Sequence, residues 1–115
     1  MSHIQEVFDR VKTHLLEQHE RSISESESPS CAYRGYDGLK CAVGCLISDE
    51  HYSEDLEGEG ANENIVKSAL KKSGINTYNI TIIDLLLDLQ GMHDTENPDN
   101  WRDKLNVIAE KYGLT

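Results

Sequence analysis

The stretch 82–92 constrains this chain most. Ile82, Ile83, Leu85, Leu86, Leu87, Leu89 and Met92 put apolar side chains nearly all round a single helix. Such a helix has little polar face to give to water and belongs in the middle of a core, so the other segments must wrap it. Thr81 followed by Asp84 is a capping pattern for its start, and Gly91 marks its end. Over 3–19, Ile4, Val7, Phe8, Val11, Leu15 and Leu16 recur at the spacing of one helical face. Ser2 is placed to cap that helix, with Glu6 and Asp9 near its positive end. His14 and His19 fall off the stripe and read as solvated. Over 63–73, Ile65, Val66, Ala69 and Leu70 point inward, Asn62 is the expected cap and Gly74 the expected C′ residue. After a connector at 75–80 and the central helix, Pro98 opens a last helix whose stripe is Trp101, Leu105, Ile108 and Tyr112, and Gly113 closes it. With one Trp and one Phe, packing falls to Leu, Ile and Val. The 115 residues suffice for one domain, 1–115, with a single core.

Between the first and second helices lies an unusual run, 31–47, which holds all three cysteines. Ala32-Tyr33-Arg34 and Leu39-Lys40-Cys41 flank Gly35-Tyr36-Asp37-Gly38, the pattern of two short strands around a tight turn. The small apolar segment 41–48 reads as a short buried helix. Gly44 at its centre suits a place where another backbone comes close. The expected fold class is mainly α (α+β): a compact bundle of about four main helices with a small β-hairpin inserted after the first. On either side are polar segments. Residues 20–30, with five serines and Pro29, read as a solvated surface loop rather than a phosphorylation site. From 49 to 63 there are seven acids and no Lys or Arg: Asp49, Glu50, Glu54, Asp55, Glu57, Glu59 and Glu63. Asp55, Glu57 and Glu59 alternate, but the rest of a calcium-loop pattern is missing, so this reads as a solvated acidic loop.

Eleven basic against twenty-one acidic side chains give a formal charge of −10. That excludes direct binding along a nucleic-acid backbone, which needs Lys and Arg to neutralise phosphates, and suits docking on a basic surface of a protein partner. No apolar run reaches the roughly 18 residues of a membrane span, and the N-terminus lacks the basic and apolar regions of a signal peptide. An odd, clustered set of cysteines is expected of an intracellular chain with reduced thiols.

Three chemistries compete for 31–47. A structural zinc site would use Cys31, Cys41 and Cys45, completed by His51 or His93, but no second cysteine pair or short knuckle is present. A cysteine enzyme would use Cys41 at a helix N-terminus as nucleophile and His93 as base. Asp94, as the adjacent residue, is a poor orienter for His93, leaving Asp37 or Asn97. The favoured reading is packing, since free cysteines behave as small buried apolar groups. No cofactor is called for.

The run Cys31-x-Tyr33-Arg34-Gly35-x-x-Gly38-x-Lys40-Cys41-Ala42-x-Gly44-x-Leu46-Ile47, then Asp49-Glu50, with the later Leu89-Gln90-x-x-His93-Asp94 and Trp101, resembles a family of small proteins from tailed bacteriophages and their bacterial hosts. The resemblance spans most of the chain and brings no activity or functional residue with it. It implies a phage or prophage accessory protein in the bacterial cytoplasm, of a kind that binds and inhibits a host enzyme or defence component. The leading expectation is therefore a non-enzymatic interaction protein. Its expected contacts are the hairpin tip, Tyr33, Arg34 and Tyr36, and the acids Glu54, Asp55, Glu57 and Glu59. Tyr and Arg commonly anchor interfaces, and acids steer toward a basic partner. Mimicry of DNA is a narrower version of the same idea. The small enzyme built on Cys41 and His93 is the alternative.

Overall fold

The computed structural model describes residues 2–25 and 30–115, so the loop reading of Ser26–Pro29 lies outside the described residues. Four helices carry the fold: α1 His3–Gln18, α2 Asn64–Lys72, α3 Ile80–Thr95 and α4 Trp101–Lys111. α1 starts on the Ser2 hydroxyl, which accepts from the Gln5 N–H, and ends with His19 in the left-handed region. α3 packs on α4, and α1 packs on both and on the turn Gly44–Leu46. Phe8, Leu15, Leu46, Ile82, Leu85, Leu86, Leu89, Trp101 and Leu105 fill the space between them, each less than 2% exposed. The central position expected for 82–92 holds for most of that stretch. Leu87 is the exception at 38% exposed.

α3 is longer than expected at both ends. Its cap is Asn79, whose side chain accepts from the Thr81 N–H. It runs through Gly91 to Thr95 because a glycine inside a helix costs only about 1 kcal/mol, which burial of Met92 and His93 offsets. At α2 the cap position is Glu63 rather than Asn62, and it makes no side-chain capping bond. Ile65 faces outward at 42% exposed instead of inward, while Val66, Ala69 and Leu70 are buried. Gly74, at φ +96°, follows α2 as expected and turns Ile75 into the core. Pro98 starts a 3-10 turn, Pro98–Asn100, that leads straight into α4.

The expected β-hairpin does not form: among the described residues there is no strand. Arg34 and Lys40 make one isolated antiparallel bridge, as do Ile23 and Cys31. The tight turn itself is present, with Asp37 and Gly38 both at positive φ. A ladder fails to extend because the Tyr33 and Arg34 N–H groups donate to the Glu57 carboxylate, at 2.8 and 3.1 Å, instead of to a second strand. The expected short helix over 41–48 shrinks to the 3-10 turn Gly44–Leu46. Two N–H groups of the segment go to side chains instead: the Val43 N–H donates to Gln90 Oε1, and the Gly44 N–H to Cys41 Sγ.

Gly44 is the close-approach position that its place in the run implies. A Cβ there would collide with the Tyr33 carbonyl, whereas one at Gly91 would meet nothing within 4 Å. Two alanine substitutions in one chain should therefore act in opposite directions. By urea unfolding, Gly44→Ala should lose about 2 kcal/mol through forced backbone displacement. Gly91→Ala should gain about 0.5–1 kcal/mol from helix propensity alone.

Candidate functional site

Two of the three residues expected at an exposed hairpin tip, Tyr33 and Arg34, are instead structural. Tyr33 is 6% exposed, and its hydroxyl donates to the Glu59 carbonyl. The Arg34 guanidinium donates to the Gly44 and Ile47 carbonyls at 2.7 and 2.8 Å and to Asp49 Oδ1 at 3.1 Å. It also lies 4.8 Å above the Tyr52 ring. A guanidinium so occupied holds the 44–47 turn closed and has little left for a partner. Glu57 is likewise spent: besides the two backbone N–H groups it accepts from the Tyr52 hydroxyl at 2.6 Å. Of the predicted contacts, Tyr36, Glu54, Asp55 and Glu59 are the exposed ones.

Neither predicted cysteine chemistry is assembled as expected. Cys41 is 1% exposed, and burial pushes its thiol up to about 12, opposed by N–H groups of Gly44 and Val43. A thiol held protonated in the core is no nucleophile. Cys45 is raised to about 12 by burial as well, and donates to the Ala42 carbonyl. The three sulfurs do not form a ligand set, and His51 sits beside Glu50 instead. His14 is also bound rather than solvated, its Nε2 lying 2.8 Å from the Lys40 carbonyl.

A different group gathers around His93. Its ring is fully buried and stacked on Trp101 at a centroid distance of 5.5 Å. The Ser22 N–H donates to Nε2 at 3.0 Å, and Nδ1 lies 2.8 Å from Asp94 Oδ1. A backbone N–H can only donate, so Nε2 is the accepting nitrogen and the proton of the neutral ring sits on Nδ1, toward Asp94. Asp94 therefore does orient His93, against the expectation for adjacent residues. Nδ1 lies next to the ring's attachment point and can reach a neighbouring carboxylate. Gln90 Nε2 donates to the same Asp94 oxygen at 2.8 Å, while Gln90 Oε1 holds the Val43 N–H. Burial opposes ionisation of Asp94, but hydrogen bonds from His93, Gln90 and Cys31 outweigh it and hold the carboxyl below its ordinary value. The Cys31 thiol is driven up to about 11, by burial first and then by the Asp94 charge.

Cys31, His93 and Asp94 offer ligand atoms within 4.8 Å of one another. A metal at Nδ1 would displace its proton, and a neutral ring would then need a proton on Nε2, directed at the Ser22 N–H. The arrangement as built suits a proton-locked imidazole rather than a metal ligand. Beside it opens a cleft of about 360 Å³ between one face of α3 (Leu87, Gln90, Gly91, Asp94) and the loop 57–61, with Cys31 and Tyr33 on its floor. The motif pieces 31–47 and 89–94, far apart in the chain, thus meet at one place. Sequence reasoning passed over Ser22 and Gln90. Gln90 stood within the quoted motif, whereas Ser22 carried no signal because it acts through its backbone. No family model, curated protein or solved structure matches this chain.

The depressed Asp94 carboxyl contributes stability that is present above its ordinary value of 3.8 and lost as pH falls through its lower folded value. Asp94→Asn should therefore lower stability at neutral pH and flatten, without abolishing, the loss below about pH 4. Asp88, also depressed, retains its share. Urea midpoints measured from pH 2 to 7 check this.

Proposed function

We propose that this chain is a non-enzymatic interaction protein, an accessory protein of phage or prophage type as its motif resemblance implies, which captures a basic surface of a bacterial host protein. The observation that carries the reading is the fate of the acids. Asp49, Asp88 and Glu96 each face a Lys or Arg of the chain. Glu54, Asp55 and Glu59 stand exposed on one short loop with no ion pair among the described residues. Like charges left unneutralised repel one another and lower stability slightly, which a cationic partner would relieve. The Tyr36 ring, 45% exposed, adds an aromatic surface elsewhere on the central run. DNA mimicry is the less favoured form, because these acids follow a loop rather than a rigid phosphate-like spacing. No helix of the described residues is long and apolar enough to cross a membrane.

The reading is tested by capture from bacterial lysate on the intact protein. Glu54→Lys, Asp55→Lys and Glu59→Lys together should reduce recovery of the bound protein at least tenfold. Raising salt from 50 to 300 mM should weaken the wild type and leave the triple variant unaffected. Equal recovery by wild type and variant would remove the acidic loop from the interaction.

The enzyme alternative survives only in altered form, with Cys31 in place of Cys41: both line the cleft, but Cys31 is the sulfur grouped with His93 and Asp94, within 4.8 Å. A protonated thiol next to a carboxylate and a histidine whose nitrogens are both engaged argue against it. A thiol titration at pH 7.4 should find Cys31 labelled before Cys41, yet at least tenfold slower than a free model thiol. Faster reaction than the model thiol would restore the enzyme.

A further inference from the structure

The cleft beside Asp94 has features that the exposed acidic loop lacks. It is a concavity of about 360 Å³, and no Lys or Arg lines it. Its carboxylate is oriented: His93 and Gln90 both bond to Asp94 Oδ1, and the Cys31 thiol donates to the same carboxylate. Those bonds keep the group ionised despite partial burial. Leu87, one helical turn before Gly91, is apolar and half open on the same face of α3. Glu59, on the loop 57–61, also lines the cleft and is one of the exposed acids. An apolar wall, a fixed anionic acceptor and a second acid in the lining match an aliphatic stem ending in a planar, weakly hydrated cation.

We propose that this cleft is a socket for an arginine side chain of the partner, with the stem along Leu87 and the guanidinium between Asp94 and Glu59. The assignment rests on the interaction reading above and supplies its specificity: the loop acids attract a basic surface, and the socket selects one residue on it. Gly91 forms part of the wall with open space where its Cβ would be, so a larger side chain there enters the cleft and not the core.

The test needs no partner. N-acetyl-L-arginine amide is titrated into the intact ¹⁵N-labelled protein, with N-acetyl-L-citrulline amide as the neutral isostere. Saturable shifts are expected at the amides of Cys31, Gly60, Leu87, Gly91 and Asp94, with citrulline at least tenfold weaker. Gly91→Leu, which leaves the core untouched, should weaken arginine binding at least tenfold, and Asp94→Asn should do the same if its spectrum remains folded. Three results would overturn the socket: equal response to citrulline, shifts confined to Glu54 and Asp55, or unchanged binding by Gly91→Leu. Lysate capture reads the acidic loop separately. Loss of the socket with salt-sensitive capture intact rejects only the socket, and the reverse pattern rejects only the loop.

Discussion

The central run is held by one carboxylate and one guanidinium facing opposite ways. Glu57 reaches back to take the backbone N–H groups of Tyr33 and Arg34, and the Arg34 side chain reaches forward to the carbonyls of Gly44 and Ile47. Each of these is a hydrogen bond to a charged group, contributing about 1.5–3 kcal/mol where water is excluded. Together they pair backbone groups that the segment's few internal bonds leave open. This explains how a stretch with so little regular secondary structure can sit buried against α1 and α3.

The same pair shows where sequence reading succeeds and where it stops. Three of the four helices announce themselves by periodicity, because the 3.6-residue spacing is local and survives without knowledge of the rest. α3 was identified by its surplus of apolar residues, although its ends were misplaced. Asn79 carries little local sign of being the cap, and Gly91 reads as a terminator although packing carries the helix past it. Tyr33 and Arg34 were misread for a different reason. Their residue types are common at interfaces, and nothing nearby in sequence tells that an acid 23–24 positions away will fix their backbone. Glu57 is hidden inside a run of acids that otherwise looks uniformly solvated. Cys41 is buried, as a cysteine among Ala, Val and Gly suggests, and Gly44 lies against the Tyr33 carbonyl, the close approach its place implies.

His93 was singled out as a base and is instead a joint. Its Nε2 satisfies the backbone of Ser22, its Nδ1 orients Asp94, and its face stacks on Trp101. A ring with both nitrogens engaged and no exposed edge is well placed to tie three segments together and poorly placed to shuttle a proton. The chemistry-bearing residues of the two motif pieces are thus mostly consumed in holding each other. That accounts for why they occur together without implying a reaction.

What such a scaffold leaves over is the argument for binding. Asp94 is fixed by His93, Gln90 and Cys31, and its carboxyl stays ionised at the edge of a cleft. Full burial would raise the Asp94 pKa further and favour the neutral carboxyl. Partial exposure instead keeps desolvation small enough for the charge to persist and leaves an acceptor already oriented before any ligand arrives. Preorganisation of this kind lowers the entropic cost of recognition, which matters most for a small protein with a limited contact area. The rigid joint around His93 and the proposed socket beside it then share one carboxylate.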